Sequence, residues 1–314
     1  MVGEIDILIP VARKSNFIED ALISAHAQQG VKVKIYILEN NVSDIAFSNY
    51  LRNISNKYNA EYVVFQERLN LFENWNRCLS IGNSEWIAFL HDDDIMAPDY
   101  LKYSSLFFYN KDILVYPYEY FSSKSRVFSK SNQVSEILLS SPEQLVSKVF
   151  LENVHMSSLL FRRSVKFNFP TQLKMLGDQY AFRTYIFANM QIRVGYLNAN
   201  NMNQIRVHQL QATSRWGYLC AEEYLYLWQS SFAILEKNNR LNLNKIIYFL
   251  VRDSDANTLS KIASSLLYFK WTCFKVTTYA LIIFEARSLK LFFSTIFRAL
   301  FQKTVWEFKY IQKR

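Results

Sequence analysis

Two apolar periods alternate through the first ninety residues, and this alternation limits the fold more than any other feature of the chain. Residues 5–11, Ile-Asp-Ile-Leu-Ile-Pro-Val, form a short β-rich run stopped by Pro10, the pattern of a buried parallel strand. Phe17, Ile18, Leu22 and Ala25 then recur at helical spacing between Ser15 and Gln28. Ser15 or Asn16 stands at the N-cap, and Glu19 and Asp20 fall in the first turn. Gly30 ends that helix. Val31 to Leu38 reads as a second strand, followed by a polar turn from Glu39; Ile45 to Tyr58 reads as a helix and Tyr62 to Phe65 as a strand. Leu71 to Ile81 and Trp86 to Leu90 complete the series. Strands alternating with helices of this length predict an α/β domain around a mostly parallel sheet.

Past residue 100 the pattern loosens into shorter pieces: a helix over 98–108, strands at 113–116, 159–162 and 192–197, and a helix over 178–189. From Ala221 onward it reads as helical and rich in Leu, Phe and Tyr. A boundary near 215–220 predicts a catalytic domain over 1–215 and a helical C-terminal region over 216–314. Gly and Pro together number 11, too few for collagen-like or turn-rich all-β architectures. Three cysteines, Cys78, Cys220 and Cys273, fit no metal template and no disulfide framework, which predicts a reducing compartment. The acidic start before Ile5 is unlike a secretory signal, so the expected location is the cytoplasm.

The fourth strand ends in His91-Asp92-Asp93-Asp94. In open α/β sheets ligands bind at the carboxyl ends of strands. Three adjacent carboxylates repel one another, and a divalent cation carrying a diphosphate would hold them together. A solvated turn capping the next helix is the plainer alternative. The ordered series of Pro10, Ser24 and Gln28, Glu39 to Asp44, Asn70-Leu71, Asn76-Arg77, and Phe89 to Asp94 resembles the family-two glycosyltransferases, inverting enzymes of the GT-A fold. The Asn74 to Leu79 helix and the Leu-His-Asp-Asp-Asp variant look like a bacterial subgroup that builds surface polysaccharides such as O-antigen, lipopolysaccharide and capsule. The resemblance spans residues 5 to about 215, and His91 departs from the family's usual Asp.

The resemblance implies an enzyme that moves a sugar from a nucleotide-diphosphate donor to a hydroxyl of a glycan, with a lipid-linked acceptor expected. Pro10, Glu39, Asp44 and Asp92 would line the donor nucleotide. Glu39 would accept the imide N–H of uracil, since a carboxylate accepts and cannot donate; a UDP-sugar is favoured and a dTDP-sugar remains open. Asp93, Asp94 and His208 would hold Mn²⁺ or Mg²⁺, with His91 in a supporting place. Arg206 and Arg215 would contact the diphosphate, and Trp216 would help close over it. Asp178 would be the general base that takes the acceptor proton. Plainer roles stand beside these: Glu39 as a strand-end acid, Asp44 and Asp178 as helix caps. Ala12 occupies the position where the family often stacks an aromatic on the base, which leaves the donor base open.

Net charge is +9, but residues 261–314 hold ten basic residues against two acidic ones, while the rest is close to neutral. That distribution argues against nucleic-acid binding. Leu289, Phe292, Phe293, Ile296 and Leu300 share a helical face, with Arg287, Lys290 and Arg298 opposite. Such a helix suits an anionic membrane surface; packing on the catalytic core is the alternative. Lys270 and Lys275 interrupt the stretch 266–284 and argue against a membrane span. The expected placement is therefore peripheral, on the inner face of the cytoplasmic membrane. Two other classes compete with a transferase. A nucleotidyltransferase would want a Gly-rich phosphate loop, and Val11 to Lys14 holds no glycine. A catalytically inactive sugar- or nucleotide-binding domain would not need both Asp93 and Asp178.

Overall fold

The computed structural model describes residues 4–208 apart from 42–43, 123–126 and 130–132, together with scattered positions between 223 and 246. Arg215, Trp216 and the basic segment 261–314 lie outside the described residues. The chain divides into two compact units, Met1–Leu138 with Val154–Cys220, and Leu139–Asn153 with Ala221–Arg314. In the second unit, helix Pro142–Leu151 begins on a Ser141 side-chain cap to the Gln144 N–H, with proline at its first turn.

The first unit opens with β1 (Ile5–Val11), α1 (Ile18–His26), β2 (Val33–Glu39), α2 (Ile45–Lys57), β3 (Glu61–Val64), α3 (Leu71–Cys78) and β4 (Trp86–Phe89). It continues through α4 (Tyr100–Ser104), a 3-10 turn (Ser105–Phe107), β5 (Ile113–Val115), β6 (Tyr118–Phe121) and β7 (Val134–Ile137). The remaining elements are β8 (Leu159–Arg162), α5 (Gly177–Ala188), β9 (Val194–Ala199) and β10 (Asn203–Arg206). The eight-stranded sheet runs β3-β2-β1-β4-β8-β5-β9-β7, and β6 pairs with β10 in a second, two-stranded sheet. β1 pairs in parallel with β2 and β4, and β2 with β3, as the alternating pattern requires. Beyond β4 the directions mix: β8 is antiparallel to both β4 and β5, and β9 is parallel to β5 but antiparallel to β7.

Pro10 lies inside β1 instead of stopping it, in register with Leu38. The Ile5 N–H faces the β2 side, toward the Lys32 carbonyl, so the even-numbered amides of β1 face β4. Pairing with β4 ends at Leu8 and Phe89, with one further bond from the Leu90 N–H to the Leu8 carbonyl at 2.9 Å; proline at position 10 has no N–H to carry that ladder on. All of β1 is buried, as a central strand covered on both faces must be.

The boundaries differ from expectation where local chemistry intervenes. α1 starts at Ile18 because the Ser15 hydroxyl accepts the Phe17 N–H at 3.1 Å, a turn that delays the helix. The helix expected over 98–108 breaks into α4 and the 3-10 turn. α3 starts cleanly on a reciprocal capping box between Asn70 and Glu73. Gly30 and Gly82 both take positive φ, 73° and 80°. A Cβ at Gly82 would stand 2.2 Å from an oxygen of Asp6, a fully buried carboxylate held by Ser84 and Arg163.

Ser24 and Gln28 turn out to be braces. Ser24 accepts the Met96 N–H at 3.1 Å, while Gln28 donates to the Ala97 carbonyl at 2.7 Å and accepts the Leu101 N–H at 3.1 Å. α1 and the residue two positions past its end thus satisfy the backbone that follows the acidic turn, where buried peptide groups need partners.

Candidate active site

The acidic turn leaves β4 at the carboxyl edge of the sheet, where parallel strands open onto solvent. Its backbone is clamped from β10: Ile95 and Gln204 exchange both N–H···O bonds, at 2.9 and 2.8 Å. Asn203 adds a bond from the Ala97 N–H at 2.8 Å and donates to the Ser157 carbonyl at 2.9 Å. Ser15 donates to the Asp92 carbonyl at 3.2 Å.

Within that frame the three carboxylates face different partners. Asp93 lies against His208, Oδ2 to Nε2 at 2.9 Å. Arg206 donates through Nε to the Asp93 carbonyl at 2.9 Å and through its terminal nitrogen to Asp20 at 2.8 Å. Its guanidinium lies 4.2 Å from the Phe17 ring centre and 4.6 Å from that of Phe121. Arg206 is buried, and these two bonds make it a brace of the acidic turn. Asp94 is buried on different partners, Ser157 Oγ at 2.6 Å and the Arg206 N–H at 3.0 Å, with His91 and His155 alongside. The expected trio Asp93, Asp94 and His208 is divided: Asp93 pairs with His208, and Asp94 belongs to the histidine cluster.

Crowding of like charge away from water shapes the protonation of the turn. Burial and the neighbouring Asp93 charge push Asp92 up to about 7, with Arg13 opposing. The same two causes hold Asp94 well above the usual carboxylate range, against the bonds from Ser157 and Arg206. Burial pushes His91 down to about 3 and His155 down to about 4, so both imidazoles are neutral near pH 7.

At the end of β2, Glu39 is buried and accepts hydrogen bonds from Ser48 Oγ at 2.8 Å and from the Tyr62 hydroxyl. Burial and that bond raise the Tyr62 phenol to about 12. Asp44 caps α2 by accepting the Phe47 N–H at 3.1 Å. Asn40 holds Leu69 through its N–H at 3.0 Å and its carbonyl at 2.8 Å, and accepts from Arg77 at 2.8 Å. Asn41, at φ 76°, turns the chain after β2.

Asp178 sits in the first turn of α5, whose N-cap position is Leu176, so it is not the cap of that helix. Its Oδ1 accepts the Gln179 N–H at 2.7 Å. Burial nevertheless pushes the carboxyl up to about 7, opposed by the Gln179 and Asp178 amides and by the Arg183 charge. Gly177, just before it, is pressed on Phe72; a Cβ there would be 2.5 Å from the ring. Gln179 accepts the Val154 N–H at 3.0 Å and donates to the Val154 carbonyl, one residue from His155.

His155, Ser157 and Asn203 escape sequence reading, because none stands in a local motif, and the bonds of Gln179 and Tyr62 reach partners 25 and 23 positions away. One sign was available: of the chain's four histidines, His91, His155 and His208 all gather on this turn.

Known proteins extend the picture. EpsH of Bacillus subtilis (strain 168), provisionally named a glycosyltransferase, is 24% identical over 250 residues, covering 76% of this chain and 70% of EpsH. The crystal structure of S. aureus TarS 1-349 with UDP-GlcNAc superposes with a TM-score of 0.60 at 14% identity, over 93% of this chain and 79% of that one. The mannosyltransferase PcManGT of Pyrobaculum calidifontis, in complex with GDP-Man and Mn²⁺, gives 0.54 at 13% identity, over 98% and 88%. The fold is that of the GT-A glycosyltransferases. The model of the family "Glycosyl transferase family 2" matches residues 6–178, more than half of the chain and every strand from β1 to β8, and with that match the protein belongs to this family of glycosyltransferases.

Proposed function

We propose that the chain transfers a sugar, with inversion, from a nucleotide-diphosphate donor to a glycan hydroxyl. The observation that carries this reading is the carboxyl of Asp178, raised to about 7 by burial. A general base works best when its pKa lies near the working pH, and an exposed Asp near 4 would be a poor one. Asp178 takes the proton from the acceptor hydroxyl as that oxygen attacks the anomeric carbon, and the carbon–diphosphate bond breaks on the opposite face. Gly177 lets the start of α5 lie directly on Phe72, which seats the carboxyl.

Asp93 and His208 offer a carboxylate oxygen and an imidazole nitrogen 2.9 Å apart beside two further acidic groups, a donor set that suits Mn²⁺ and also admits Mg²⁺. Asp93 and His208 would hold the ion, which would supply positive charge against the departing diphosphate. PcManGT binds GDP-Man with Mn²⁺ and TarS binds UDP-GlcNAc, which supports a nucleotide-sugar donor here too. Arg206, its guanidinium set beside the Phe17 and Phe121 rings, holds the Asp93 backbone in place. Glu39, fixed by the Ser48 and Tyr62 hydroxyls, would accept an imide N–H through a remaining lone pair, a role that favours a uridine donor over one with a cytosine base. Pro10, Asp44 and Asp92 line or support the same strand ends. A lipid-linked acceptor, surface-polysaccharide biosynthesis and a seat on the inner membrane face follow from the basic apolar segment 261–314, with the catalytic unit ending near 215.

The test is donor hydrolysis and transfer across a panel of nucleotide sugars with Mn²⁺. Turnover of a UDP-sugar that is lost in Asp178→Asn, with donor binding kept, supports the reading; no turnover with any nucleotide sugar overturns it.

A further inference from the structure

We propose that His91, Asp94 and His155 form a second metal site, specific for a zinc-class ion and separate from Asp93 and His208. The three side chains come from the exit of β4 and from the segment just before β8, and their ligand atoms all lie within 4.8 Å of one another. Asp94 Oδ2 is the centre: His91 Nδ1 stands 3.5 Å from it and His155 Nδ1 3.6 Å. Those separations are too long for good hydrogen bonds, which centre near ~2.9 Å. They match a tetrahedral metal, where bonds of about 2.0–2.1 Å set neighbouring ligand atoms roughly 3.3 Å apart.

The histidines have little other reason for this placement. Among the described residues the His91 ring makes no hydrogen bond, and its buried Nε2 has no partner. The one competing bond on His155 Nδ1 is a long contact from the Ser157 N–H, 3.4 Å. The two rings lie against each other, centres 4.7 Å apart, with Trp75 behind His91 and Tyr118 beside His155. That aromatic wall limits rotation, so the nitrogens are held in place. Two imidazoles and one carboxylate select zinc-class ions over Mg²⁺, which prefers oxygen and near-octahedral coordination. The Ser157 hydroxyl on Asp94 and the Arg206 N–H on its other oxygen orient the carboxylate from outside. A fourth position is left for water or an incoming ligand.

This site stands independently of the proposed transfer reaction. Its test is Zn²⁺ uptake by the full-length protein against a chromophoric chelator, with Co²⁺ absorption as a second readout. The expected result is one Zn²⁺ held by the wild type and intense visible Co²⁺ bands typical of tetrahedral coordination. His155→Phe keeps the ring packing and should weaken Zn²⁺ by more than ~10-fold, since loss of an outer partner alone costs 10–100-fold. His155→Asn serves the same comparison if the Phe variant does not fold. Asp93→Asn should keep both Zn²⁺ and the Co²⁺ bands. Unchanged Zn²⁺ affinity in a folded His155 variant, or equal loss in Asp93→Asn, overturns the proposal.

Discussion

The side-chain amide of Gln179 closes both hydrogen bonds of the Val154 backbone, taking its N–H at 3.0 Å and giving one to its carbonyl. This pair links the helix that carries Asp178 to the segment that carries Ser157, whose hydroxyl donates to Asp94 at 2.6 Å. The proposed base and the acidic turn are therefore parts of one hydrogen-bonded frame, not two loops that happen to approach.

Asp178→Asn should lower transfer by ~10²–10⁴-fold while donor binding persists. In the wild type, rate should rise with pH through about 7 as the carboxyl ionises. The stability consequence has a definite sign. The folded-state value lies above the ordinary 3.8, so stability present at low pH is lost as pH climbs from about 4 to about 7. Asparagine carries no such loss. Urea midpoints should be at least as high for the variant as for the wild type at pH 8, and the gap should close near pH 4.

Asp93→Asn should abolish metal-dependent binding of a nucleotide diphosphate, measured by calorimetry with and without Mn²⁺. Asparagine keeps the size of the side chain and an oxygen that can face His208, so the urea midpoint should change little. The charge removed is also one that raises Asp92 and Asp94. Chelator should stop wild-type transfer, and added Mn²⁺ should restore it; transfer unaffected by chelator would remove the ion from the mechanism.

Gly177→Ala places a methyl 2.5 Å from the Phe72 ring, which is itself buried against Trp75 and Phe169. Overpacking of this kind costs about 1–3 kcal/mol, visible as a lower denaturant midpoint. Turnover should fall as well, since α5 must shift and take Asp178 with it. Phe72→Leu in the same chain should recover part of both losses. A fully active and stable single variant would mean that the start of α5 is not tightly seated.

Full-length protein should float with anionic vesicles and be only partly released by high salt, since screening weakens charge attraction and not apolar burial. Lys290→Glu with Arg298→Glu should weaken flotation and leave transfer to a soluble acceptor unchanged. If the protein ignores anionic vesicles, segment 261–314 has another role.

Much of this architecture was legible in the residues. β1 to β4 and their helices follow apolar periods of two kinds, and periodicity is a local property that a sequence displays directly. Asp44 as a cap and the acidic turn at a strand end were readable for the same reason. The partners of that turn were not. The resemblance implies a diphosphate contact for Arg206, but no local pattern announces that Asp20, 186 positions earlier, accepts from its guanidinium. Asp93 and Asp94 are adjacent in sequence but satisfied by residues 115 and 112 positions away. Which neighbour each carboxylate meets depends on how β10 returns to β4, and no local pattern encodes that return. Helix edges slipped where a single side chain competed for an amide, as Ser15 does at Phe17.

The clamp of Gln204 on Ile95 also has a consequence for how the protein is born. β1 to β4 complete a parallel sheet from the first ninety residues, but the acidic turn at its edge waits for β10, more than a hundred residues downstream. Contacts of such sequence separation close late, because the loop entropy must be met before they contribute. The partners that Asp93 and Asp94 find on this return, His208 and the Arg206 N–H, reach the turn only once the chain to residue 208 has been made. The catalytic edge would be the last part of the sheet to set, and a nascent chain halted before that residue would carry the scaffold without a competent site.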